Sequence, residues 1–349
     1  MNISTNKLLN KRILIIGGTG SLGKALIQKL SKDNDLYIMS RDEAKHWTIR
    51  NNLDSTARVT LYVGDIRDYE RVVEVILSTI PEIIIIASAL KQVDTCENTP
   101  DESIKTNLQG VQNVCKAVVS NSMRLKDLGT VLLVSTDKAC APTNVYGMSK
   151  ALAERVVTSY HSWNPRIKFV VVRYGNVLES RGSIIPLFKH QIEANENLTV
   201  TDKRMTRFIM TLNQSIELIE ETIANSQSGE IWIPKIAAMK IIDLAEIFSD
   251  RFGGKIRITG MRPGEKLHED LISEPESIRV QILKAHYVIE NSTNPIRTKK
   301  NSELFSYSSD QELLSKETLE SYLNNLGIFE MDVKEFLGRE IEEIRGRLK

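Results

Sequence analysis

The sequence predicts an α/β protein: a doubly wound parallel sheet followed by a smaller C-terminal lobe. Three observations predict it. Short, β-branched apolar runs alternate with helical patterns through the first half, as in a parallel sheet covered on both faces. The first run opens directly into a glycine-rich turn and a helix. Beyond residue 175 strict alternation gives way to shorter segments.

The first run, Arg-Ile-Leu-Ile-Ile at 12–16, leads into Gly17-Gly18-Thr19-Gly20-Ser21-Leu22-Gly23, and then Leu22, Ala25, Leu26 and Leu30 share a helix face. Alone, such glycines mark only a tight turn. Between a strand and a helix they form the dinucleotide fingerprint, in which the backbone closes on a pyrophosphate at the helix N-terminus. Gly17, Thr19, Gly20, Ser21, Leu22 and Gly23 are the expected cofactor contacts. A second run, 36–39, ends at Ser40 and Arg41, which with Lys45 offer a hydroxyl and cations to a 2′-phosphate. NADP is therefore favoured over NAD, unless Arg41 is a solvated charge and Asp42 or Glu43 reads the ribose. A third run, 59–63, leads to Asp65 and Ile66; Asp65 can accept from an adenine amine or cap the next helix. A fourth, from residue 83, runs into the small residues Ala87, Ser88 and Ala89, which let the backbone pass close to the cofactor, with Lys91 turned toward the pocket. Asn107 lies on a helix expected over 100–121, beside the site.

The fifth run, 131–134, delivers Ser135, Thr136, Asp137 and Lys138 at a strand end, where ligands sit in open α/β sheets. Tyr146 and Lys150 follow, four apart in a helical segment, so one face carries a phenol beneath an ammonium. That pair is a plausible phenolate base.

Whole-chain properties narrow the function. Among 349 residues, 46 Lys plus Arg face 45 Asp plus Glu, which argues against nucleic acid or an anionic membrane as the main partner. The three cysteines, Cys96, Cys115 and Cys140, lack metal spacing and fit a reducing compartment, and Cys140 reads as a packed small residue. No metal site is expected, and His268 reads as a helix or packing residue. The N-terminal lysines and apolar patch read as a first strand rather than a signal peptide, and the apolar run at 83–90 is far short of the roughly 20 residues of a membrane span. A soluble, cytoplasmic protein is expected.

With these features placed, the chain resembles an extended short-chain dehydrogenase/reductase. Ser-Ala-Leu-Lys-Gln-Val (88–93), Ser-Thr-Asp-Lys-Ala (135–139), Arg-Tyr-Gly-Asn-Val (173–177), Ser-Arg-Gly-Ser (180–183), Met-Thr-Arg-Phe (205–208) and Arg-Pro-Gly-Glu-Lys-Leu-His-Glu (262–269) narrow the likeness to the UDP-N-acetylglucosamine 4,6-dehydratases. Some of these relatives carry membrane spans and have methionine in place of Tyr146, whereas the soluble C5-inverting ones, some of them also 5-epimerases, keep the tyrosine. The resemblance implies a Rossmann-type domain over 1–175, a mainly substrate-binding lobe over 176–275, and an extension over 276–349. It implies a UDP-sugar substrate, NADP-mediated internal hydride transfer and a homo-oligomer, dimer or hexamer. Thr136, Asp137, Lys138, Tyr146 and Lys150 become the catalytic set, and Val177 joins the cofactor contacts. Lys91 and Asn176 would approach the sugar, Arg262 and Glu265 would hold the nucleotide, and Arg181, Thr201, Arg204 and Arg207 complete the expected substrate contacts. Each arginine has a surface salt bridge as its bland alternative.

In the implied reaction Tyr146, its pKa lowered by Lys150, takes the C4 hydroxyl proton; Lys138, partly neutral, removes the C5 proton; and a protonated Asp137 serves the departing C6 hydroxyl. A UDP-sugar 4-epimerase is the nearest rival, but it has no use for Asp137 and Lys138. A non-catalytic NADP-binding regulatory protein has no use for the whole set. In the C-terminal extension, amphipathic stretches at 313–326 and 333–348 are expected to wrap the lobe or make oligomer contacts.

Overall fold

A computed structural model describes residues 8–178, 180, 182–291 and 303–329. The first half alternates as expected: β1 (Arg12–Ile16), α1 (Ser21–Leu30), β2 (Asp35–Ser40), α2 (Glu43–Asn51), β3 (Val59–Val63), α3 (Tyr69–Thr79) and β4 (Ile83–Ile86). There follow α4 (Val93–Asn98), α5 (Pro100–Ser103), a π-helical segment (Ile104–Gln109), α6 (Gly110–Ser120), β5 (Thr130–Thr136), a 3-10 turn (Asp137–Ala139), α7 (Val145–Ser159) and β6 (Lys168–Tyr174). The helix expected over 100–121 is thus present, but widened into π geometry in its middle. Asp68, not Asp65, caps α3 by accepting from the Arg71 N–H, so the capping alternative for Asp65 is set aside.

The second half contributes β7 (Asn176–Val177), α8 (Ile184–Glu193), β8 (Leu198–Val200), β9 (Thr206–Met210), α9 (Leu212–Asn225), β10 (Ile231–Pro234), β11 (Ala238–Lys240), α10 (Ile241–Phe252) and β12 (Ile256–Ile258). Beyond these lie β13 (Asp270–Ile272), α11 (Glu274–Ser277), β14 (Val280–Ile282), β15 (His286–Ile289), β16 (Tyr307–Ser308) and α12 (Lys316–Asn325). The main sheet has nine strands in the order β14-β15-β10-β6-β5-β4-β1-β2-β3. From β10 to β3 it is parallel, and β15 and β14 are added antiparallel. Residue 175 is therefore not a break in space, since β10, β14 and β15 return the later chain to the sheet.

All four isoleucines of β4 are buried, because a central strand is covered on both faces. One face packs against α1 and α9 through Leu26, Ile27, Ile216 and Ile219. The other packs against α3, α6 and α7 through Val72, Val114 and Val157. A third core, around Phe188, Leu198, Phe248, Leu319 and Leu323, holds the lobe together. Strand order reverses between β1 and β4, and there the carboxyl ends of the strands open a crevice. Among the described residues no helix is long and apolar enough to cross a membrane. The stretch 333–348 lies outside the described residues.

Candidate active site

At this crevice lies a cleft of about 620 Å³ lined by both halves of the chain. The glycine turn forms one wall. Gly17 has φ +88°, and a Cβ there would come within 2.5 Å of the Ser88 backbone nitrogen, so the turn closes directly on the strip after β4. A Cβ added at Gly23 would lie 2.2 Å from the Gly18 carbonyl oxygen, so α1 is seated directly against the turn. An added Cβ on Gly20 meets only the Gly17 carbonyl, at 3.6 Å, leaving the approach from the cleft open. The first turn of α1 has no side-chain cap and no acidic residue. Its N–H groups and positive dipole end therefore suit a diphosphate. These residues fit the cofactor that the sequence implies.

Of the expected cofactor contacts, Gly17, Thr19, Gly20, Ser21, Leu22, Gly23, Ser40, Arg41, Lys45, Ile66, Ala87, Ser88, Ala89 and Val177 line the cleft. Asp65 and Asn107 do not. Asp65 is held by Arg67, through its backbone N–H at 2.9 Å and its guanidinium at 2.6 Å, and by Arg41 at 3.7 Å. Asn107 is fully buried and exchanges hydrogen bonds with the Leu90 backbone at 2.8 and 2.9 Å, so it pins the strip carrying Lys91. The polar groups around the ribose position are mixed: Ser40 Oγ bonds His46 Nε2 at 2.7 Å, Lys45 pairs with Asp42 at 2.6 Å, and both Arg41 and Asp42 face the cleft.

The reacting cluster sits where β5 ends. Asp137 is 1% exposed and accepts from the Thr136 hydroxyl at 2.9 Å and the Lys138 ammonium at 3.0 Å, both on Oδ1. Its Oδ2 is buried without a hydrogen-bond partner among the described residues. Across the gap Glu269, 2% exposed, brings Oε1 to 3.2 Å from Lys138 Nζ. Burial draws the Lys138 pKa down, but the carboxylates of Asp137 and Glu269 outweigh it and hold the group well above an ordinary lysine. The expected partly neutral amine is thus corrected: Lys138 rests as an ammonium between two acids.

Tyr146 and Lys150 lie on α7, whose N-cap Asn144 accepts from Gly147 N–H at 2.8 Å. Burial pushes Tyr146 up to about 12, while Lys138 and a hydrogen bond with Thr136 pull it down. Lys150, brought down to about 8 by burial, donates to the Val134 carbonyl at 2.6 Å. Lys138 is thus a cation that favours the phenolate beside the Lys150 expected from the sequence, whose ammonium uses one of its three donors on the backbone of β5. Thr136, Lys138, Tyr146 and Lys150 line the cleft, with Asp137 directly behind them.

Of the expected substrate contacts, Lys91 from the first half and Asn176, Arg262 and Glu265 from the lobe line the same cleft. Glu265 accepts from the Arg262 backbone N–H at 3.0 Å, and Gly264 O accepts from Asn144 Nδ2 at 2.9 Å, so this loop docks on the cap of α7. Thr201, Arg204 and Arg207 are not in the lining. Thr201 contacts Met205 Sδ, Arg204 is an exposed partner of Asp202, and Arg207 is buried, donating to the carbonyls of Thr206 at 2.7 Å and Leu267 at 3.1 Å. Arg181 lies outside the described residues. His268 sits on a bend and bonds Thr206 Oγ1 at 2.8 Å. Burial pushes the Cys140 thiol up, and it donates to Glu276, as a packed residue does.

Two residues escaped sequence reasoning as site groups. Ser183 lines the cleft with a buried hydroxyl that has no hydrogen-bond partner among the described residues, and Glu269 grips Lys138. Both end motifs already quoted, at 180–183 and 262–269, but nothing local shows which motif member turns inward.

A family described as polysaccharide biosynthesis protein matches residues 13–291. The chain is 37% identical over 332 residues to the UDP-N-acetylglucosamine 4,6-dehydratase (inverting) of Campylobacter jejuni, covering 89% of this chain and 96% of that one. It is 38% identical over 291 residues to the UDP-glucose 4-epimerase of Rickettsia bellii, covering 80% and 83%. The X-ray structure of Pen from Bacillus thuringiensis is similar with a TM-score of 0.83 at 33% identity, covering 93% of this chain and 99% of that one. With motifs, fold and cleft in agreement, the chain belongs to this polysaccharide biosynthesis family, among the nucleotide-sugar dehydratases and epimerases of the extended short-chain dehydrogenase/reductase type.

Proposed function

We propose that the protein is a UDP-N-acetylglucosamine 4,6-dehydratase that inverts C5, working with NADP at an early step of deoxy-amino-sugar synthesis for glycans. The observation that carries this reading is the Asp137–Lys138 pair, 3.0 Å apart beside Tyr146. A 4-epimerase needs only a base at the C4 hydroxyl and a reversible hydride carrier, and it has no step for a second acid and base.

The glycine turn and α1 would hold the cofactor diphosphate, with Ser40, Arg41 and Lys45 at the 2′-phosphate. The cofactor, when bound, supplies reversible two-electron chemistry between C4 and C6 of the sugar. Arg262 would meet the UDP diphosphate, and Lys91 and Asn176 the sugar ring. Tyr146 takes the C4 hydroxyl proton, while Thr136 orients that oxygen. A ketone at C4 then makes the C5 hydrogen acidic.

The elimination needs one acid and one base, and the pair holds one shared proton. At rest it is Asp137 carboxylate with Lys138 ammonium. Transfer of that proton along the 3.0 Å Nζ–Oδ1 bond gives protonated Asp137 and neutral Lys138 with no change in net charge. Lys138 then removes the C5 proton as Asp137 protonates the C6 hydroxyl. The C6–O bond breaks, the C5–C6 double bond forms, water leaves, and the pair returns to its resting form. Protonation of C5 from the opposite face by a solvent proton, balanced by release to solvent of the proton that Tyr146 took, sets the L configuration, giving UDP-2-acetamido-2,6-dideoxy-L-arabino-hexos-4-ulose.

Incubating the protein with UDP-N-acetylglucosamine and NADP in deuterium oxide tests this. The expected product has lost about 18 mass units before deuterium is counted and shows deuterium at C5 of an L-configured ring by NMR. An isomer of unchanged mass would make the protein an epimerase, and a D-configured product would exclude inversion.

A further inference from the structure

We infer that Glu269 is a positioning residue that keeps the shared proton on the Asp137–Lys138 pair, with Arg207 balancing its charge. The inference rests on the dehydratase reading above and extends it to residues outside the cleft lining. Glu269 is 2% exposed, with Oε1 at 3.2 Å from Lys138 Nζ and 3.8 Å from Arg207 Nε. Its backbone N–H donates to Ser309 Oγ at 2.9 Å, and its Oε2 is buried without a hydrogen-bond partner among the described residues. A carboxylate so desolvated persists only beside opposite charge. Lys138 and Arg207 supply it.

The groups facing Lys138 come from four places: Asp137 on its own turn, Glu269 ahead of β13, Arg207 on β9 and Tyr146 on α7. Lys266 is engaged elsewhere, with the Cys140 carbonyl at 2.8 Å and Asp270 at 3.8 Å. Asp137, Lys138, Glu269 and Arg207 together sum to zero charge. Moving the proton from Lys138 to Asp137 preserves that sum, as any transfer within the cluster does. Loss of the proton to water does not preserve it. It leaves a charged Asp137 and a neutral Lys138, with nothing to deliver to the C6 hydroxyl. An opposite charge at this distance favours the cation by roughly one to three pKa units. Glu269 thus raises the pH at which the pair loses its proton, and Arg207, a second cation facing Lys138, moderates that hold. Glu269 also accounts for Arg207, a cation outside the cleft lining.

The test uses the full-length protein, wild type and Glu269→Gln, with two readouts. One is acylation of Lys138 by acetic anhydride at pH 8, followed by peptide mass spectrometry and normalised to the exposed Lys32. The other is the pH profile of UDP-N-acetylglucosamine dehydration. In E269Q, Lys138 acylation is expected to rise about tenfold or more, and the alkaline limb of dehydration to move down by about one pH unit or more. Unchanged acylation, or a uniform loss of rate at every pH with no displaced limb, overturns the inference. If the wild type forms no dehydrated sugar yet E269Q still releases Lys138 to acylation, the dehydratase reading falls and the hold of Glu269 on the proton stands. If the wild type dehydrates but Lys138 is unmoved, the reverse holds. Should E269Q fail to fold, Glu269→Asp, which keeps the charge but withdraws it, is expected to shift acylation the same way to a smaller extent. No shift or an opposite shift in that folded variant overturns the inference.

Discussion

Lys138 concentrates the chemistry of the site in one side chain. It is one-fifth exposed, bound to Asp137 and faced by Glu269, and it is also a cation that draws the buried Tyr146 phenol down. A carboxylate at this position would place a third negative charge beside Asp137 and Glu269, whereas lysine makes the cluster an internally neutral acid–base unit. Replacing Lys138 with Met removes the base but keeps the length of the side chain. Dehydration in K138M is expected to fall by about a hundredfold or more, while C4 oxidation, slowed by loss of a cation that favours the Tyr146 phenolate, still shows as a rise in absorbance of the reduced nicotinamide. Full C6 deoxygenation by K138M, read by mass spectrometry, would contradict the assignment. The identity of Lys138 was legible in the sequence because Thr-Asp-Lys follows a strand directly. Its charge state was not, because Glu269 approaches from the other half of the chain.

The element that sets the geometry is α7, which carries Tyr146 and Lys150 and is held at its start from two directions. Gly147 allows the helix to meet the turn after β5: a Cβ there would lie 2.2 Å from the Lys138 carbonyl oxygen. From the other side the loop around Gly264 bonds Asn144 and Thr143 at 2.9 and 3.1 Å. Gly147→Ala therefore has to push α7 off the Lys138 backbone and shift Tyr146 relative to Lys138. The cost is expected to be about 1–3 kcal/mol, read as a lower Tm, with kcat reduced far more than this loss of stability accounts for. A kcat at the wild-type level in folded G147A would show that the contact does not position Tyr146. Helix and strand identities were readable here from periodicity and the glycine turn. The π geometry at Ile104–Gln109 was not, because it comes with Asn107 turned onto the Leu90 backbone, a tertiary contact without a local signature.

At the scale of the molecule the two halves are interleaved. β10, β14 and β15 extend the nucleotide-side sheet, while β7, β9 and β11 form a small sheet of their own next to the cleft. The buried Arg173 ties them together. It pairs with Glu154 on α7 at 2.6 Å and with Glu276 on α11 at 2.8 Å, and it donates to the Leu271 carbonyl at 3.0 Å. The lobe's separate core makes a different prediction. Leu319 on α12 is fully buried against a cluster that includes Phe248 and Phe329, with no part in the cleft lining. Leu319→Ala is expected to destabilise the protein by about 2–5 kcal/mol, seen as an earlier urea transition, while activity at 25 °C stays near wild type. A loss of activity without loss of stability would tie α12 to the site.

Local sequence determined the doubly wound class, the glycine turn, the strand-end Thr136-Asp137-Lys138 and the Tyr146–Lys150 helix, since each is written within a few residues through side-chain period, backbone freedom or spacing. Tertiary structure alone decided which charges meet. It left Arg207 and Asn107 out of the cleft lining, tied Lys150 to the Val134 carbonyl and brought Glu269 to Lys138. The physical reason is that a charged side chain is defined by its neighbours in space. In a desolvated cleft an opposite charge 3 Å away outweighs anything the adjacent residues in the chain encode.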